Sequence, residues 1–146
     1  MKIEIAVGPQ ASQRLNRLFS NLRDTGPAMR DISARLYKET MGYFQAQGRP
    51  DEPWAELSER TKNKRRKGRG EGEPRILLDT GRMRNDIKPE YDSTQARVGA
   101  TIYYAEEHQL GVKEKHMPAR PWLPTEERAT EIAIEVLEAQ QKEAVK

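Results

Sequence analysis

The strongest constraint on this chain is a cationic stretch that no buried element can contain. Six of the eight residues from Lys62 to Arg69 are basic, and Gly68, Gly70 and Gly72 follow at once. So many like charges cannot be buried, and closely spaced glycines break both helix and strand. The fold must therefore be built from what flanks the run. On its N-terminal side stand Trp54, Leu57, Ser58 and Thr61; on its C-terminal side Ile76, Leu77, Leu78, Asp79, Thr80 and Gly81. The expectation is a long excursion, mobile over about residues 62–74, held between two apolar anchors. Trp54, Leu57, Leu78, Thr80 and Gly81 are its structural fixings.

Charge is divided unevenly. Arg60 to Arg75 holds eight basic and two acidic residues, a local +6 inside a chain of net +3. The remainder, with 18 basic against 21 acidic residues, is mildly acidic. Such polarity speaks about partners and not about fold. With 35% hydrophobic and 34% charged residues the core is modest and the surface large. The 146 residues are read as a single domain, 1–146. The absence of cysteine excludes disulfides, thiolate metal sites and thiol catalysis. No apolar run approaches the roughly 18–20 residues of a membrane span. Glu4 falls where a signal peptide needs an apolar block. A soluble protein made in a cytoplasm is expected.

Along the chain, Ile3, Ile5 and Val7 alternate with polar or small residues, the period of a strand with one buried face. Leu15, Leu18, Phe19 and Leu22 predict an amphipathic helix over about 10–23. Asp24 or Thr25 can cap a second helix, with Pro27 in its first turn. Met29, Ile32, Leu36, Tyr37, Met41 and Phe44 carry that helix to about Gln47, with Gly48 as its stop. The two helices are expected to form an antiparallel pair on the strand.

Residues 48–53 read as a proline-stiffened loop, and Ser58 as the cap of a third helix. Segments 87–91 and 95–100 predict a hairpin about Asp92, Ser93 and Thr94, and Pro89 assigns its first strand to an edge. Tyr103 to Leu110 predicts a helical turn stopped by Gly111. Three prolines keep Pro118 to Pro124 extended. Thr125 then caps a last helix with an inward stripe of Ala129, Ile132, Ala133, Val136, Leu137 and Gln140 and a glutamate-rich outside. The fold class is α+β: a small antiparallel sheet packed with two long amphipathic helices and a C-terminal helix, plus the long basic loop.

Chemistry is sparse. His108 and His116 are the only histidines and lack companions at metal-ligand spacing, so both read as surface histidines. No nucleophile motif is present. Gly68, Gly70 and Gly72 resemble a phosphate loop but lack its Gly-Lys-Ser/Thr ending. No cofactor, metal or catalytic residue is assigned, and no enzyme is expected. The basic run remains: closely spaced Lys and Arg suit phosphates, but without interleaved aromatics they cannot read base sequence. The run either meets an acidic protein surface, contacts DNA or is simply a solvated loop.

Four short motifs in order carry a resemblance. They are Trp54-x-x-Leu57-Ser58-x-x-Thr61; Ile76-Leu77-x-Asp79-Thr80-Gly81-x-Met83; Val98-Gly99 with Tyr103-Tyr104-Ala105, His108-Gln109 and Gly111; and Pro118-Ala119-Arg120-Pro121-Trp122-Leu123. Together they resemble the virion morphogenesis, or tail-completion, family of Mu-like tailed bacteriophages. Met83 stands where that family usually has an aliphatic residue, and Trp122 where phenylalanine is common. The resemblance implies a non-enzymatic neck or tail-joining protein of the virion, assembled in the bacterial cytoplasm as a ring, most often of six copies. Its neighbours would be other neck, connector or tail-tube proteins, with non-specific contact to packaged DNA and no membrane. On that reading Arg65, Arg66, Lys67, Arg120 and Trp122 are assembly-interface residues, and Tyr104 and Pro121 further anchors. The acidic final helix is the natural counterpart of the basic run. The alternative is a small DNA-binding protein using residues 62–69.

Overall fold

A computed structural model describes residues 2–62, 76, 77 and 81–145, without the side chains of residues 144 and 145. Strand β1 (Ile3–Val7) and the hairpin β4 (Lys88–Tyr91) and β5 (Ala96–Ala100) make an antiparallel sheet of order β1-β5-β4. Ile5 lies opposite Val98, and Val98 opposite Pro89. The central strand buries Ala96, Val98 and Ala100 on one face. Pro89 is on the edge strand, where its missing N–H breaks no second ladder. The hairpin turn is closed by Asp92, whose carboxylate accepts from the Thr94 and Gln95 amides at 2.7 and 2.9 Å.

Helix α1 (Gln13–Ser20) is shorter than its apolar stripe suggests. Pro9–Ala11 forms a separate 3-10 turn, and Ser12 starts the helix by accepting from the Leu15 amide at 3.0 Å. Helix α2 (Gly26–Ala46) has Pro27 in its first turn and buries Met29, Ile32, Leu36 and Phe44. Asp24 accepts from the Gly26 amide, while the Thr25 hydroxyl donates to the Ser93 carbonyl and ties the helix to the hairpin. Helix α5 (Glu126–Val145) starts with the Thr125 hydroxyl accepting from the Arg128 amide and buries the apolar residues of its expected stripe.

Helix α2 lies over β4 and β5, and α5 over β1 and against α2. The expected α1–α2 pair is not the main packing: α1 seats chiefly on α5. The last helix has inward residues on both flanks, Ile132 and Ala133 with Val136 and Leu137, and so outcompetes α2 for that face.

Two stretches carry more structure than a loop. Strands β2 (Gly48–Arg49) and β3 (Glu52–Pro53) form a miniature hairpin directly after α2. Helix α3 (Arg82–Asp86) starts from Gly81, whose φ of 77° is the left-handed conformation glycine adopts without penalty. Asp86 then accepts from the Thr101 and Ile102 amides, both at 2.7 Å, and so caps α4 (Tyr103–Leu110) from outside.

Candidate functional site

The site is the structure that holds the two ends of the basic excursion. It begins at the C-terminus of α2, which stops on Gln47 and not on Gly48. Gln47 sits at φ 61°, a strained conformation for a residue with a side chain. Its amide compensates: Nε2 donates to the carbonyls of Phe44 and Ile76, and Oε1 accepts from the Ile76 amide. Its own carbonyl accepts from the Trp54 amide at 3.2 Å. One glutamine thus joins the end of a long helix to both banks of the excursion.

On the N-terminal bank, Trp54 is buried edge-on against Phe44, with ring centroids 5.2 Å apart. Its indole donates to the Pro121 carbonyl at 2.7 Å. Leu57 is buried, and Ser58 caps helical residues 59–62 by accepting from the Thr61 amide. Lys62 lies between Glu56 and Glu59. On the other bank Leu77 is buried and Ile76 partly so.

The proline-rich segment locks this arrangement from the far side. Arg120 donates through Nε to the Ala55 carbonyl at 2.7 Å and through Nη2 to Glu56 at 2.9 Å. Its own amide donates to His108 at 2.7 Å. Trp122 is fully buried; its indole donates to the Ala105 carbonyl at 2.9 Å. Gln109 Oε1 accepts from the Trp122 and Leu123 amides, and Arg49 Nη1 donates to the Leu123 carbonyl. Pro121 is buried, and Tyr104 is half-buried between Tyr103 and His108.

These contacts correct one expectation. Arg120, 6% exposed, and Trp122, 0% exposed, are not on the protomer's surface and cannot be its interface residues. They are interior fasteners: Arg120 satisfies carbonyls that the extended 54–56 segment leaves unpaired, and Trp122 fills the core beneath α4. Of the expected anchors, Trp54, Leu57 and Pro121 are buried, and Gly81 and Tyr104 are partly exposed. Arg65, Arg66, Lys67, Leu78 and Thr80, with most of the expected mobile arm, lie outside the described residues. Gln47, Arg49 and Asp86 were missed. Their side-chain hydrogen bonds reach distant segments, and no local pattern marks them.

The acidic helix carries ion pairs of its own. Arg128 bonds Glu39, Glu131 and Glu135; Arg35 bonds Glu135; Arg14 pairs with Glu138. Glu131, Glu135 and Glu138 of α5 are therefore engaged within the protomer. Burial alone would push the Glu39 carboxyl up, but hydrogen bonds from Arg128 and Tyr43 hold it below its ordinary value. Burial, then the Glu39 charge, pushes the Tyr43 phenol up. On the open sheet face Arg97 reaches Glu4, Glu90 and Asp92, and Lys2 reaches Glu4 and Glu90. The Arg97 hydrogen bond, with those from Thr94 and Gln95, holds Asp92 well below the usual carboxylate range. A face so compensated offers phosphates little net attraction.

Among the described residues no group of three His, Asp or Glu could hold a metal ion. His116 is exposed and His108 half-buried. No described helix is long and apolar enough to cross a membrane.

Comparison with known proteins decides the family. A sequence model of the phage virion morphogenesis family matches residues 7–141. This chain belongs to the phage virion morphogenesis family. It is also 30% identical over 128 residues to Mu-like prophage FluMu G protein 2 of Haemophilus influenzae, an alignment spanning 84% of this chain and 83% of the relative. No solved structure matches. The matched span contains the whole fastened node, from Gln47 to Leu123. As a family member the chain has a structural or assembly role in the phage particle.

Proposed function

We propose that this morphogenesis protein completes the tail at the head–tail junction, as a subunit of a ring that joins or terminates the tail. Six copies is the expected number, and neighbouring neck, connector or tail-tube proteins are its partners. The observation that carries the reading is where the motif residues are used. Trp54, Arg120 and Trp122 fasten the first bank of the basic excursion to a buried node, and Gln47 ties that node to Ile76 on the second. Such an architecture presents a segment to a partner. Genetic removal followed by negative-stain imaging tests it, with unjoined heads and tails expected. Normal tailed particles would refute it.

The DNA-binding alternative draws on one observation, the eight cations from Arg60 to Arg75. Packaged DNA could be contacted without sequence selection. Retention of duplex by the isolated chain, falling steeply with salt, is its signature.

A further inference from the structure

Two exposed features serve no purpose inside the protomer, and each complements the other. The first is a ridge on α4. Tyr103 is 75% and Leu110 66% exposed, and their spacing of seven places them on one helical face. Glu106 lies between them and makes no ion pair among the described residues. The edge contact with Tyr104, centroids 5.2 Å apart, steadies the Tyr103 ring.

The second feature is a groove along the C-terminal half of α2, walled by the miniature hairpin and lined by Lys38, Gly42, Ala46, Pro50 and Pro53. Gly42 sits in the interior of a 21-residue helix, where glycine is a poor choice. A Cβ there would meet nothing within 4 Å among the described residues, so no contact among them requires the glycine. Lys38 is exposed and makes no ion pair among the described residues. Arg49 also lines the groove; its side chain is 10% exposed, and its buried Nε has no hydrogen-bond partner among the described residues.

We propose that the α4 ridge of one copy docks into the α2 groove of a second copy. Tyr103 and Leu110 lie across Gly42 and Ala46, and Glu106 pairs with Lys38. Small residues let a helix approach closely, aromatic and leucine side chains supply the buried area, and the charge pair sets register. Ridge and groove are different surfaces, so the contact is head-to-tail and each copy offers one of each. The inference rests on the assembly reading above and names the surfaces that reading requires.

Full-length chain and variants are sized by mass photometry across concentration, with circular dichroism as the folding check. Wild type is expected to form closed multimers. Gly42→Gln, which fills the groove at an open position, and the double variant Tyr103→Ser with Leu110→Ser should each be folded and monomeric. An equimolar mixture of the two should stop at dimers, because one supplies the ridge and the other the groove. Lys38→Glu and Glu106→Lys should each weaken association about tenfold or more, and their combination should restore it. Multimers that persist in both blocked variants, or a wild type that stays monomeric throughout, overturn the proposal. Imaging of particles lacking the protein separates the two claims. Normal particles sink the assembly role and leave the contact standing. Unjoined particles, with blocked variants still restoring infectivity, sink the contact alone.

Discussion

At the residue scale, identity mattered through what each side chain could reach. Trp122→Ala removes a fully buried indole and its bond to Ala105, and should cost about 3–5 kcal/mol in urea unfolding. Arg120→Met keeps the stem but strands the Ala55 and Glu56 carbonyls, for about 1–3 kcal/mol. If either residue served an intersubunit surface instead, isolated monomer stability would be unmoved and only assembly would suffer. Gln47 offers a finer test. Gln47→Gly relieves the positive φ yet severs the ties to Ile76. The expected result is near-normal global stability with faster protease cleavage between residues 62 and 77. Unchanged cleavage would show that Gln47 does not hold the second bank. Arg120 and Trp122 were visible in the sequence as a motif, but the type of residue common at interfaces is also the type that fastens an interior. Composition alone cannot separate those uses, whereas burial does.

At the scale of elements, capping explains where expectation and structure part. The stripe Leu15 to Leu22 predicts a longer α1 than forms, because Ser12 captures the Leu15 amide and sets the start. Helix α4 is capped by Asp86 from a neighbouring element, which no local pattern announces. Burial raises the Asp86 carboxyl, but the Ile102 and Thr101 amides outweigh it and leave it below its ordinary value of 3.8. The folded state thus binds a proton more weakly than the unfolded chain. This stabilisation is complete above 3.8 and is lost as pH falls below it towards the folded value. Asp86→Ala should cost about 1 kcal/mol near neutral pH and flatten the acid limb of the stability curve. An acid limb identical to wild type would show that Asp86 contributes nothing to it.

At the scale of the whole molecule, the excursion is held at its ends. Replacing residues 64–73 with a glycine-serine segment of equal length should shift stability by no more than about 0.5 kcal/mol, since a run so densely charged supplies no buried apolar side chain. The same replacement should abolish head–tail joining in a complementation assay. A protein that fails to fold would show that the segment belongs to the core. Charge reversal at Arg65, Arg66 and Lys67 should likewise block joining, and infectious particles of normal appearance would count against the arm's role.

The sequence by itself determined the parts: period-two and helical stripes, the Pro89 edge, the Gly81 turn and the two banks beside a charge run too dense to bury. Those follow from spacing and backbone freedom, which are local. Only the tertiary structure decided that α2 and α5 cover the sheet while α1 seats on α5, that Glu131, Glu135 and Glu138 of α5 are spent on Arg14, Arg35 and Arg128, and that Arg120 and Trp122 face inward. Each of these depends on which distant carbonyl, carboxylate or apolar face a side chain meets, and that is fixed by packing.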